Sequence, residues 1–142
     1  MSQINARRLK PGEFSRMPFD PPPPPRVTIV EDDVSLLSAL TFALEEEGFA
    51  VAAFVRGQEL LDRPPLATDC LIVDLRLRDA DGLTLIAELR GLGVAPPAIL
   101  ITTAPDDRCR RRAAEAGVQI VEKPLIGAEL GRRIAEAIAG AR

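Results

Sequence analysis

The sequence predicts a single α/β domain in which five strands and five helices alternate to build a doubly wound parallel sheet. Its 142 residues, 46% hydrophobic and 27% charged, suit one globular core and are too few for two domains. From Arg26 onward, short apolar runs alternate with amphipathic stretches, as in a sheet covered on both faces. The longest apolar runs, such as residues 70–73, are far shorter than the roughly 20 residues that a bilayer span needs, so we expect no membrane partner.

The first 25 residues form a separate segment in this prediction. They hold seven of the 13 prolines and show neither helical nor alternating apolar periodicity. We therefore expect a disordered, proline-rich tail over residues 1–25 and a folded domain over residues 26–142; a proline-rich ligand for an aromatic groove is the alternative. The net charge of −3 divides into +2 for this tail and −5 for the rest, which does not match a nucleic-acid footprint.

The strands and the first two helices each have a local cause in the sequence. The first helix follows from Leu37, Leu40 and Leu44 at helical spacing and ends at Gly48. A short second helix over residues 58–62 ends before Pro64. Short, mainly apolar runs bounded by turn residues predict the strands, which are residues 27–30, 49–54, 70–75, 98–101 and 118–121.

The last three helices follow from the same periodicity and from capping residues. Asp106 or Asp107 is expected to cap the fourth helix, which runs to Gly117. Apolar stripes mark the third and the fifth helices, namely Leu83, Ile86 and Leu89, and then Leu130, Ile134, Ala137 and Ile138.

Polar side chains collect where the predicted strands end. Because the carboxyl ends of parallel strands share one edge of the sheet, these groups are expected to converge there. Several carboxylates placed this close together repel one another and favour a bound cation, and oxygen ligands favour Mg2+ or Mn2+ over zinc. The residues concerned are Glu31, Asp32 and Asp33 after the first strand, Asp74 at the end of the third, Thr102 and Thr103 after the fourth, and Lys123 after the fifth.

The absence of histidine narrows the chemistry. A zinc site of the usual Cys/His type, a Ser-His-Asp triad and a phosphorylated histidine are all excluded, because the chain has no His and two Cys. We expect Cys70 and Cys109 to lie in or beside the core. Two cysteines far apart in a sequence with no hydrophobic signal segment favour a reducing, cytoplasmic location.

Residues 29–33 (IVEDD) and 70–74 (CLIVD) give the sequence a family resemblance. From Val27 to about Ala139 it resembles the receiver domain of two-component response regulators. The resemblance implies a flavodoxin-like strand order of 2-1-3-4-5. It also implies that Asp74 is the phosphoacceptor.

The same resemblance assigns the metal ligands. Asp32 binds Mg2+ directly, Glu31 supports it through water, and Asp33 lies at the rim; an alignment shifted by one residue would promote Asp33. Asp74 itself and the backbone carbonyl of Arg76 complete the metal site.

Further roles are implied for the fourth and fifth strands. Thr102 matches the switch hydroxyl, with Thr103 as the alternative, and Lys123 precedes Pro124 at a peptide bond that is commonly cis in the family.

The implied partners are a sensor histidine kinase or phosphotransfer protein and an unknown downstream protein. A phosphorylation-dependent homodimer stays open. The family is a signalling class that catalyses only its own phosphotransfer and dephosphorylation.

Because two residues depart from the family pattern, other functions are also considered. Arg78 stands where many receivers have Pro, and Ile120 stands where many have Phe or Tyr. These departures suggest, as an alternative, a receiver-fold binding module that phosphate does not switch. The presence of Asp32, Asp74, Thr102 and Lys123 argues against that alternative. A Mg2+-dependent phosphatase with an Asp74 nucleophile is disfavoured, because Arg76 stands where such enzymes need an acid. A basic cluster, Arg108 and residues 110–112, is interpreted as a solvated face or as a surface for an acidic partner.

Overall fold

In the computed structural model, which describes residues 20–125 and 127–141, five parallel strands alternate with five helices. The strand order is β2-β1-β3-β4-β5, so the predicted doubly wound fold and its strand order are confirmed. The elements are β1 (Arg26–Val30), α1 (Val34–Glu46), β2 (Ala50–Phe54), α2 (Gly57–Asp62), β3 (Cys70–Asp74), α3 (Gly82–Gly91), β4 (Ala98–Thr102), α4 (Asp107–Ala116), β5 (Gln119–Glu122) and α5 (Glu129–Gly140).

The sheet separates two apolar layers. Residues of the central strands alternate between them: Ile72 belongs to the layer with α1 and α5, whereas Val73 belongs to the layer with α2, α3 and α4. All five residues of β3 and of β4 are buried. Burial on both faces explains why these strands are almost continuously apolar in sequence.

Three helices begin at the sheet edge where the strands end, and an aspartate caps each of them. Asp33, Asp81 and Asp106 precede α1, α3 and α4, and each carboxylate accepts a hydrogen bond from the backbone N–H three residues later. Such caps satisfy the free N–H groups of the first turn and fix where each helix starts. Of the two caps considered for α4, the structure selects Asp106. Gly117 ends that helix in a left-handed conformation with φ of 67°.

The predicted boundaries differ from the observed ones by one or two residues. The third strand ends at Asp74 and not at Leu75, and the fifth runs from Gln119 to Glu122 and not from Val118 to Val121. Within the predicted tail, residues 1–19 lie outside the described part of the chain, and residues 21–25 form neither helix nor strand. No helix within the described ranges has the length and apolar character needed to cross a bilayer.

Candidate functional site

Two buried carboxylates share one lysine at the carboxyl edge of the sheet. Lys123 Nζ lies 2.9 Å from Glu31 Oε1 and 3.2 Å from Asp74 Oδ2. Glu31 is 1% exposed and Asp74 is 6% exposed. Because few ionisable groups are buried this deeply without function or a partner, this trio marks the candidate site.

Strand pairing explains how residues far apart in sequence meet here. β1 and β3 are neighbours with Val30 opposite Val73, so Glu31 and Asp74 follow at adjacent strand ends. Lys123 follows β5, two strands away from β3, and its backbone N–H donates to the carbonyl of Thr102 at 2.8 Å. Its long side chain then spans the end of β4 to reach the two carboxylates.

Backbone N–H groups orient all three carboxylates of the site. Asp74 Oδ1 accepts from Arg76 N at 3.1 Å, and Asp32 Oδ2 accepts from Arg78 N at 2.9 Å. Glu31 Oε2 accepts from the N–H of Asp33 at 3.1 Å. Hydrogen bonds from fixed backbone donors stabilise the ionised carboxylates and limit their rotation.

The pKa values of Glu31 and Lys123 are both raised, but for different reasons. Burial raises the pKa of Glu31, and the hydrogen bond from Lys123 only partly offsets this effect. Burial alone would lower the pKa of Lys123, but the hydrogen bond to Glu31 and the charges of Asp74 and Glu31 outweigh it, so its pKa is raised. The lysine is therefore held as a cation.

Three carboxylates of the site are arranged suitably for a hard divalent cation. One oxygen each from Glu31, Asp32 and Asp74 lies within 4.8 Å of the others. Glu31 Oε1 is a buried atom that is paired with the Lys123 ammonium and accepts no other hydrogen bond within the described ranges. An all-oxygen donor set with spare acceptor capacity fits Mg2+ or Mn2+ better than zinc.

Asp33 is placed differently from the other acidic residues of its tract. Its side chain is directed to the first turn of α1, where Oδ1 accepts from Leu36 N at 3.1 Å, and it is not part of the three-carboxylate cluster. Its backbone N–H contributes to the site by donating to Glu31 Oε2.

The two candidate switch threonines differ in burial. Thr102, the last residue of β4, is 3% exposed, whereas Thr103 is exposed. Thr102 therefore places a buried hydroxyl at the end of β4, in the strand next to the one that carries Asp74. The Lys123–Pro124 bond is cis, as the resemblance implies.

The two departures from the family pattern occupy different environments. The Arg78 side chain is 91% exposed, and its Nε lies 3.9 Å from Asp32 Oδ2. Ile120 is partly buried and packs against the core layer that contains Cys109 and Ala113 of α4. Arg78 thus adds a weak, solvated charge at the rim, while Ile120 is part of the packing under α4.

Sequence reasoning missed two features of the site. A Cβ on Gly82 would lie only 2.4 Å from the carbonyl oxygen of Asp74, so this position accepts glycine alone without a shift. Asp81 binds Arg112 through two hydrogen bonds of 2.9 and 3.1 Å, which connect the start of α3 to α4. The Asp-Gly pair before an apolar stripe was a visible helix-start signal, but its closeness to Asp74 depends on the fold.

Comparison with known proteins agrees with this geometry. A family model described as the response regulator receiver domain matches residues 27–135. The chain belongs to this family. Receiver domains of this family are signalling domains of two-component systems, they typically bind Mg2+, and they interact with histidine kinases and effectors.

Curated relatives and solved structures support the assignment. Nodulation protein W of Bradyrhizobium diazoefficiens is 37% identical over 106 residues, which cover 73% of this chain and 47% of that protein. The transcriptional regulatory protein CreB of Escherichia coli K12 is 33% identical over 110 residues, covering 76% and 48% respectively. The chain thus spans about half the length of these relatives.

Among solved structures, FixJ-N is 30% identical with a TM-score of 0.73, and the match covers 81% of this chain and 94% of that one. The signal receiver domain of a modulated diguanylate cyclase from Desulfovibrio desulfuricans G20 is 32% identical with a TM-score of 0.73, covering 82% and 95%. Each match covers nearly all of the solved domain.

Proposed function

We propose that this receiver domain accepts a phosphoryl group on Asp74 in a reaction that requires Mg2+ or Mn2+. The proposal rests on one observation. Lys123 contacts both Glu31 and Asp74, which are buried at the ends of neighbouring strands, and Asp32 lies beside them. Phosphoryl transfer depends mostly on positioning and on neutralising charge, and this site supplies both.

In the proposed reaction, a carboxylate oxygen of Asp74 attacks the phosphorus of the donor. A P–O bond forms, and the bond to the donor's imidazole nitrogen or carboxylate oxygen breaks, with its electron pair leaving on the donor. The Lys123 ammonium offsets charge on the transferred group, and the N–H of Arg76 orients Asp74. A divalent cation held by Asp32, Asp74, the backbone carbonyl of Arg76 and, through water, Glu31 would neutralise phosphoryl oxygens.

The proposed consequence of phosphorylation is a rearrangement around Thr102. The aspartyl phosphate adds negatively charged oxygens beside this buried hydroxyl, which can donate to one of them and draw the β4–α4 loop inward. The proposed donor is a sensor histidine kinase or a phosphotransfer protein, and the signal passes to a downstream protein by contact.

Intact mass after incubation with acetyl phosphate, with and without Mg2+, tests the proposal. The wild type should gain one phosphoryl group only with Mg2+, and Asp74→Asn should gain none. Asp107→Asn changes an exposed acid in the first turn of α4 and is the matched control, which should be modified like the wild type. An unmodified wild type, under conditions that modify an established receiver, would overturn the proposal.

The second candidate is a receiver-fold binding module that phosphate does not switch. Ile120 favours it, because an aliphatic side chain packed under α4 offers no aromatic ring to rotate with Thr102. The two candidates differ in the mass experiment, since the binding module gains no phosphoryl group. They also differ in Mg2+ dependence, because only the first needs the cation.

A further inference from the structure

A cleft of about 170 Å³ lies next to Leu75 and Arg76, the residues that follow Asp74, between the β3–α3 loop and the start of α4. Thr102 contributes to its wall, so the cleft reaches the proposed switch hydroxyl. Three arginines also line it. The charged and polar lining residues include Arg76, Asp81, Thr102, Arg108 and Arg112.

The carboxylates that line this cleft are already engaged. Asp81 binds both terminal nitrogens of Arg112, at 2.9 and 3.1 Å. Asp106 accepts from Cys109 N at 2.8 Å as the cap of α4. Arg112 is therefore neutralised, and no acid lining the cleft is left over for the other two arginines.

Arg76 and Arg108 are the lining cations without an ion pair to any residue within the described ranges. This contrasts with the neighbouring Arg110, whose Nη2 lies 3.0 Å from Glu122 Oε1. Lys123 is already divided between Glu31 and Asp74. A phosphoryl group on Asp74 would add charge that this one lysine does not balance, and a guanidinium is well suited to bind phosphoryl oxygens.

We infer that Arg108 binds the phosphoryl group from the α4 side, across the cleft that it shares with Thr102. This inference rests on the proposed function and adds a residue outside the lysine, threonine and carboxylate set. Arg108 lies in the first turn of α4, so its movement toward the new charge carries the start of that helix toward β4. The ion pair replaces a solvated side chain with a fixed one and couples phosphorylation to the position of α4.

Beryllofluoride with Mg2+, a noncovalent substitute for the phosphoryl group, gives the direct test. Its dissociation constant is measured by NMR titration for the wild type, Arg108→Gln and Arg111→Gln. Arg111 is exposed, lies on the same helix and does not line the cleft, so its variant is the matched control. We expect about fivefold weaker binding for Arg108→Gln and an unchanged value for Arg111→Gln.

The Nε–Hε resonance of Arg108 provides a second readout, because it should shift when beryllofluoride binds to the wild type. Equal affinities for the two variants, together with an unmoved Arg108 resonance, would overturn the inference. The acetyl phosphate experiment separates the two proposals. If the wild type gains a phosphoryl group but Arg108→Gln binds beryllofluoride like the wild type and the Arg108 resonance does not move, only this inference fails. If Asp74 is never modified and beryllofluoride does not bind, both this inference and the proposed function fail.

Discussion

Replacing Gly82 with alanine tests whether the start of α3 sets the position of the Asp74 backbone. The added Cβ would lie 2.4 Å from the carbonyl oxygen of Asp74 and 3.0 Å from Leu75 Cα. A carbon and a carbonyl oxygen normally approach to about 3.3 Å. The two segments must therefore separate by about 0.9 Å, because both close contacts are with backbone that cannot rotate away.

The energetic cost has two contributions. Forcing backbone apart in a packed site costs about 1–3 kcal/mol. The shift also weakens the 2.7 Å hydrogen bond from Gly82 N to Leu75 O, a loss of about 1 kcal/mol. Alanine gains at most about 1 kcal/mol in helix propensity, so the net destabilisation should be about 1–3 kcal/mol.

Urea unfolding measures this cost, with Gly91→Ala as the matched control. Gly91 is in the same helix, and a Cβ there meets nothing within 4 Å, so its variant should be as stable as the wild type or slightly more stable. A displacement of this size at Asp74 should also slow phosphorylation by acetyl phosphate about a hundredfold. A Gly82→Ala protein with wild-type stability and wild-type phosphorylation would refute the reasoning.

Three further predictions test the metal site, the α3–α4 connection and the core. Mg2+ should raise the thermal midpoint of the wild type but not that of Asp32→Asn, as measured by differential scanning fluorimetry, because cation binding stabilises only the folded state that holds its ligands. The hydrogen bond from Arg112 lowers the pKa of Asp81, so their pair stabilises the fold above pH 3.8 and this contribution is lost as the pH falls further. Arg112→Gln should therefore be less stable by up to about 1 kcal/mol at pH 7, since the pair is partly exposed. Urea unfolding at pH 7 and pH 3 should show a smaller difference from the wild type at pH 3, and an equal difference at both pH values would contradict the prediction. Leu60→Ala should lose about 2–5 kcal/mol of unfolding free energy, whereas Leu66→Ala, at an 84% exposed position, should stay within about 0.5 kcal/mol.

The order of the elements could be predicted from sequence because its causes are local. Apolar runs such as residues 98–101 are buried on both faces, and helices with stripes such as Leu37, Leu40 and Leu44 cover them. Single residues at the ends of elements were less accurate. Val118 extends the apolar run of β5, but its backbone N–H donates to Ala113 O in the turn that closes α4, so the strand begins one residue later.

The sequence predicts which residues form the site only where the end of a strand fixes their position. Glu31, Asp74 and Lys123 converge because parallel strands share an edge, and the sequence places each directly at or after a strand. The resemblance distinguished Asp32 from Asp33 by alignment alone, whereas in the structure the two differ in side-chain direction. Gly82 depends on two loops approaching each other, and no sequence pattern encodes that distance.

Ile120 and Arg108 lie on opposite sides of α4, the helix through which the proposed signal would pass. Ile120 packs into the layer that holds Cys109 and Ala113, so aliphatic contacts hold the buried face of α4. The exposed side of the same helix begins with Arg108, a cation facing the cleft beside Thr102. An attraction between Arg108 and new charge on Asp74 would pull the start of α4 toward the cleft, on the side opposite these core contacts. In this proposal, the attraction between Arg108 and the charge on Asp74 couples phosphorylation to α4, as an aromatic ring does in other receivers. We therefore expect Arg108→Gln, and not Ile120→Val, to leave phosphorylation intact while α4 no longer responds to it.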